Sequence, residues 1–233
     1  MTLADVCAVA CAEVFRGDGE ILASPMGLLP SLGARLARAT FAPDLLLSDG
    51  EATLLSVDGE AEGWLPYRAV FDVVAHGRRH VVMGANQLDR YGNQNISCIG
   101  PHSRPVRQLL GFRGAPGNTV NHRTSYWVPR HSPRVFVPAV DVVSGVGFDR
   151  PGGPFHDVHR VVTNLGVLDF GGPDRTMRLV SVHPGVSVSD VAERTGFPLC
   201  VGEVRTTRTP APAELRLLDS FDPAGARERE VPS

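Results

Sequence analysis

The chain has 233 residues, 42% of them hydrophobic and 21% charged, with a formal net charge of -2. That composition fits a globular protein and lacks the basic footprint that nucleic acid requires. No apolar run reaches the length of a membrane span, Met1 to Asp5 lacks the basic start of a signal peptide, and Cys7, Cys11, Cys98 and Cys200 are too scattered for a disulfide framework, so no membrane partner and a reducing cytoplasm are expected.

Thr2-Leu3-Ala4-Asp5 reads as a capping box opening a helix, with Leu3, Val6, Val9, Ala10 and Val14 at helical spacing and Gly17 as the stop. Ile21 to Ala23 is a strand. Gly27 to Thr40 is a helix that tolerates Pro30 only in its first turn. Leu45 to Ser48 is the next strand, which completes a strand–helix–strand unit and implies parallel pairing. Leu65 to Ala75 reads as an amphipathic helix and His80 to Ala85 as a buried strand. Further strands are expected at Val135 to Val137, Val161 to Thr163, Gly166 to Phe170 and Arg178 to Val182. Ser187 to Asp190 opens a second capped helix that Gly196 closes. Alternation in the first half and clustered strands in the second predict an α/β fold with a mixed sheet flanked by helices. Length is compatible with one domain over 1–221, and the Arg-Glu-Arg-Glu segment within 222–233 reads as a charged, flexible tail.

All 23 basic residues are Arg, so no Lys is available as Schiff base, general base or phosphate-binding cation. Cys7 and Cys11 share a helical face without further ligands nearby and read as small buried side chains; no metal is expected. His76 and His80, flanking Arg78 and Arg79, are explained as cations near a helix C-terminus. Ser48 ends a strand, but no Gly-x-Ser-x-Gly elbow surrounds it. The turn Asp89-Arg90-Tyr91-Gly92-Asn93 favours a structural role, with Gly92 and Asn93 tolerating positive φ.

Three ordered segments carry a family resemblance. They are the strand end Ser48-Asp49-Gly50, the run Gly84-Ala85-Asn86-Gln87-Leu88-Asp89-Arg90-Tyr91-Gly92-Asn93-Gln94-Asn95, and His183-Pro184-Gly185-Val186-Ser187-Val188 continuing to Val191, Thr195, Gly196 and Phe197. Together they resemble the β subunit of the class I coenzyme A transferases. The resemblance implies a coenzyme A transferase-like α/β fold with a mixed, mostly parallel sheet. In that family the first segment reads Ser-Glu-Asn-Gly, and its Glu attacks the acyl thioester. Asp49 stands at the corresponding place and is one methylene shorter. Near-attack geometry tolerates little displacement, so Asp49 is expected to keep a polar role and lose the nucleophilic one. Glu51 is the remaining carboxylate on that segment.

The family's Gly-x-Gly-Gly loop corresponds to Gly111-Phe112-Arg113-Gly114-Ala115-Pro116-Gly117-Asn118. Its spacing differs, and Pro116 removes one amide donor. Asn118, Asn121 and His122 follow as a polar wall. The implied substrate or coenzyme A contacts are therefore Ser48, Asp49, Gly50, Gly114, Ala115, Gly117, Asn118, Asn121 and His122. Asn86, Gln87, Asp89, Gly92 and Asn93 form a structural turn beside them. No catalytic residue is expected on this chain. The Ser-Asp-Gly-Glu variant and the Gly-Phe-Arg-Gly loop look like a hydrolytic branch of the family, the actinobacterial enzymes that open the last steroid ring as a coenzyme A thioester. That likeness implies no cofactor beyond the thioester substrate, and an α subunit that supplies the catalytic Glu in an αβ or α2β2 assembly. A conventional transferase of a 3-oxo or dicarboxylic acid, and a non-catalytic ligand-binding subunit, are the alternatives.

Overall fold

The computed structural model describes residues 1–66, 69, 72, 76–150 and 152–231. In chain order its elements are α1 (Leu3–Glu13), β1 (Leu22–Pro25), α2 (Leu28–Thr40), β2 (Leu46–Ser48), β3 (Thr53–Leu55), β4 (Ala61–Trp64) and β5 (Arg79–Gly84). Two small hairpins follow, β6 (Gln87–Leu88) with β7 (Gln94–Asn95) and β8 (Cys98–Ile99) with β9 (Arg107–Gln108). Then come α3 (Ala115–Asn121), β10 (Arg123–Val128), β11 (Asp157–Thr163), β12 (Gly166–Asp169), β13 (Arg178–Val182), α4 (Val188–Glu193), β14 (Cys200–Thr206), α5 (Pro212–Phe221) and α6 (Arg227–Glu230).

Among the described residues, ten strands form one sheet in the order β14-β13-β12-β11-β10-β5-β1-β2-β3-β4. The five central strands, β11 to β2 in that order, pair in parallel throughout. Antiparallel β3 and β4 extend one side, and β12 and β13 the other, where β14 returns parallel to β13. The α/β architecture and mostly parallel sheet are those the sequence predicts. Alternation along the central strands sorts the core into two. Ala23, Leu47, Val82, Trp127 and Val162 face α1 and α2, while Val81, Met83, Tyr126, Val128 and Val161 face the opposite cluster with Leu168, Leu179 and Val191.

Both capping boxes form. Thr2 Oγ1 accepts from the Asp5 amide, and Ser187 does the same for Asp190. Pro30 sits in the first turn of α2. At Gly33 a Cβ would lie 2.7 Å from Cys11 Cβ, so α1 and α2 cross at a distance only glycine permits, and Cys7 and Cys11 are buried there.

Several expectations need correction. Val135 to Val137 is no strand: Phe136 makes a single bridge to Leu88, because the Leu88 amide and carbonyl bond Val135 and Val137 between Pro133 and Pro138. α4 ends at Glu193, and Gly196 instead lets its amide reach the Phe136 carbonyl at 2.8 Å, where a Cβ would collide. Only Gly92, and not Asn93, adopts positive φ in the turn. The end of the chain does not fray through Val231. Arg227 is buried against Asp5, Asp219 and Asp222, and Glu230 accepts from Trp127 Nε1 at 2.6 Å and the Leu29 amide at 3.1 Å. The helix expected over 65–75 falls mostly outside the described residues.

Candidate active site

Parallel strands bring their carboxyl ends to one edge, and there the chain supplies its irregular, polar turns. β2 ends at Ser48 and β5 at Gly84. Ser48 is buried. Its hydroxyl donates to the Ala23 carbonyl at 2.9 Å, and its oxygen accepts the Gly50 amide at 3.2 Å. Asp49 is exposed, but its Oδ1 accepts the amides of Glu51, Ala52 and Thr53 at 2.8, 2.9 and 3.1 Å. Partial burial pushes its carboxyl up, and these amide bonds outweigh that, leaving the pKa lowered. Gly50 has φ +89°, and a Cβ there would lie 2.5 Å from the Pro25 carbonyl. The strand end is thus a tight, glycine-dependent turn whose carboxylate is spent on backbone.

The glycine loop meets this turn. Arg113, in the left-handed region at φ 48°, places its guanidinium 3.6 Å from Glu51. Both side chains are exposed, so the pair contributes under about 1 kcal/mol and mainly reports proximity. From Gly114 the chain enters α3, whose Asn118 points inward, its Nδ2 at 3.4 Å from the Met83 sulfur. Beneath the two turns lies a buried polar chain that sequence reasoning missed. Arg79 Nε donates to Ser24 Oγ at 3.1 Å, Arg79 Nη1 reaches Asn118 Oδ1 at 3.4 Å, and Ser24 Oγ lies 3.3 Å from Ser48 Oγ. Arg79 faces no carboxylate among the described residues, and burial lowers its pKa to about 10. A serine inside an otherwise apolar strand was the available signal.

α3 runs from the carboxyl to the amino edge of the sheet. It therefore separates two residues from the rest of the expected set. Ser48, Asp49, Gly50, Gly114 and the Glu51–Arg113 contact gather at the carboxyl edge, with Ala115, Gly117 and Asn118 in the helix leading away. Asn121 and His122 sit at the far end, beside the starts of β5 and β10, in a cleft of about 680 Å3 shared with Asp18, Arg78 and Arg123.

The turn after β6 is built from its own side chains. Asp89 Oδ1 accepts the Tyr91 and Asn93 amides at 3.0 and 3.1 Å, Asn93 Nδ2 donates to Asp89 Oδ2 at 2.9 Å, and Gly92 packs against Phe170. Gln87 and Asn95 are buried and bonded to each other at 2.6 Å. His183 is also committed: its Nε2 donates to the Thr163 carbonyl at 2.8 Å, Nδ1 pairs with Thr207 Oγ1 at 3.0 Å, and burial lowers its pKa to about 4.

His80 lies in β5, at the centre of a buried row. Its Nδ1 lies 2.6 Å from Asp18 Oδ2, and its Nε2 lies 2.9 Å from Ser125 Oγ. The order imitates a Ser–His–Asp triad, yet Ser125 and His80 are fully buried and Asp18 is also bound by Arg123 at 2.7 Å. A sealed hydroxyl within a strand cannot meet a substrate, so the row is structural.

No family model matches the chain. It is 56% identical over 244 residues to the cholesterol ring-cleaving hydrolase IpdB subunit of Rhodococcus jostii RHA1, covering 99% of this chain and 96% of that one. The crystal structure of Rhodococcus jostii RHA1 IpdAB superposes with a TM-score of 0.94 at 55% identity, over 100% of this chain and 99% of that one. Glutaconate coenzyme A-transferase from Acidaminococcus fermentans superposes with a TM-score of 0.83 at 26% identity, covering 97% and 96%. The architecture is therefore that of a coenzyme A transferase-like β subunit. Within that class the chain belongs to the family of cholesterol ring-cleaving hydrolase IpdB subunits.

Proposed function

We propose that this chain is the β subunit of a hydrolase that opens the last steroid ring of a cholesterol-derived coenzyme A thioester by hydrolytic carbon–carbon cleavage. One observation carries the choice of hydrolysis over acyl transfer. The residue at the transferases' nucleophile position, Asp49, has one oxygen committed to three backbone amides. A carboxylate so held is a turn anchor, and the longer Glu51 is exposed beside Arg113.

In this reading the reaction adds water to a ring ketone β to the thioester. A new oxygen–carbon bond forms, the ring carbon–carbon bond breaks, and its electron pair moves into the thioester as an enolate. A proton then returns to the α-carbon, and the former ketone carbon becomes a carboxylate at the far end of the opened chain. The thioester is its own electron sink, so no resident cofactor is needed. This chain binds and orients the thioester at the carboxyl edge through Ser48, Asp49, Gly50 and the loop from Gly111 to Gly117. The carboxylate that activates water comes from the α subunit. Exposed Val106, Leu110 and Phe112, on the segment that leads into the glycine loop, support a partner surface there. We assign the assembly to the cytoplasm, in keeping with four free cysteines and no described helix long and apolar enough to cross a membrane.

The test is turnover of the two-subunit complex in 18O-labelled water, with intact-mass analysis of this chain. One labelled oxygen in the new carboxylate and no adduct on this chain are expected. An acyl adduct on Asp49 or Glu51 during turnover would establish the transferase mechanism instead.

A further inference from the structure

At the same edge of the sheet a cavity of about 410 Å3 opens beside β6 and the β8–β9 hairpin. Its apolar lining comes from Ile99, Leu109, Val135 and Val137, and its charge from Arg107 and Arg134. Neither arginine forms an ion pair among the described residues. The walls are held from behind. Gln87 Oε1 accepts from Asn95 Nδ2 at 2.6 Å and from the Asp141 amide at 3.0 Å, while Asp141 Oδ2 accepts the Gly100 amide at 2.9 Å. Val135 and Val137 are fixed by the Leu88 backbone at 2.7 and 2.9 Å. The nearby acid, Asp141, is thereby spent on the scaffold. Leu109 precedes Arg113 by four residues, and Arg113 touches the strand-end turn, so a short loop joins the cavity wall to that turn.

Two unneutralised guanidinium groups over an aliphatic wall select an anionic group on an apolar body. Arginine's planar fork matches a carboxylate. A phosphate offers the same charge, but four aliphatic side chains would strip the water of a heavily hydrated diphosphate without replacing it. We propose that this cavity is a subsite for a carboxylate borne on the aliphatic acyl part of the thioester, held by Arg107 and Arg134. The inference rests on the reading that the thioester lies at the carboxyl edge.

The test uses the two-subunit complex and calorimetric titration with glutaryl-coenzyme A, pentanoyl-coenzyme A and free coenzyme A. The two acyl groups have equal chain length and differ by one carboxylate. The unaltered complex should prefer glutaryl-coenzyme A about ten- to hundredfold, the range of charge-assisted hydrogen bonds. Arg107→Ala and Arg134→Ala should each reduce that preference, and the double variant should erase it, with free coenzyme A bound as before. Equal binding of both acyl thioesters by the unaltered complex would overturn the proposal. So would a preference that survives the double variant, a matching loss of free coenzyme A affinity, or release of the α subunit on size exclusion. Ring-opening turnover is measured on the same preparation: normal turnover without discrimination defeats the subsite alone, and absent turnover defeats the functional reading.

Discussion

Asp49 Oδ1 collects three amide hydrogens, so its chemistry is that of an anchor, and substitutions should sort accordingly. Asp49→Asn keeps an acceptor oxygen in place and should retain kcat/KM in the complex within about tenfold, whereas Asp49→Ala should lose about a further tenfold by freeing the turn. A covalent nucleophile would respond differently, with both variants near the background rate. Steady-state kinetics of the two variants distinguishes these patterns.

Buried histidines give the molecule a pH dependence of definite sign. Burial lowers His183 to about 4 and His131 to about 3, each from an ordinary value near 6.5. Between those values and about 6.5 the unfolded chain binds protons that the folded chain does not. The stability they confer is therefore complete above about pH 6.5 and is lost as pH falls toward 4, at up to about 1.4 kcal/mol per pH unit for each group. Urea unfolding at pH 7 and pH 5 should show the loss. His183→Gln, which can still pair with Thr163 and Thr207, should make the slope shallower.

At the level of elements, the contacts that hold the fold together are helix crossings and a docked C-terminus. Gly33→Val would force α2 off Cys11 and should cost about 1–3 kcal/mol in chemical denaturation, with KM of the assembled enzyme unchanged. Arg227→Met would strand Asp5 and Asp222 in a buried setting and should cost about 3–5 kcal/mol.

These same elements separate what the sequence reveals from what it hides. Caps, periodicity and β-branched runs are local, so α1, α2, β1, β2, β5 and α4 are visible in it. β14 and α5 carry weaker patterns, and β10 begins directly after the residues Asn118, Asn121 and His122 that read as a polar wall, which hides its start. The docking of Arg227 on Asp5 joins residues 222 positions apart, and nothing local announces it. The candidate site divides in the same way. Ser48, Asp49 and the glycine loop were legible because turn chemistry is local. Placing Asn121 and His122 beside them failed because sequence adjacency to Gly117 hides the length of α3, which carries them to the opposite edge. Arg107 and Arg134 carry no mark in the sequence, and Arg79 reads only as a neighbour of His80, because a lone arginine has no motif and only the fold shows which of them lack a carboxylate.

At the scale of the whole molecule, the proposed function makes this chain one half of a reaction centre. It has a tight strand-end turn, a loop that touches it, a cavity lined by two arginines with no ion pair among the described residues, and exposed apolar side chains on the segment that leads into that loop. The fold is shared with coenzyme A transferase β subunits, and the Asp49 carboxylate anchors its own turn through three backbone amides. The most direct measurement compares turnover of the ring-bearing coenzyme A thioester by this chain alone, by the α subunit alone and by their purified complex at equal site concentration. The account predicts hydrolysis by the complex and none above background from either chain alone; turnover by this chain alone at a rate comparable with the complex would contradict it.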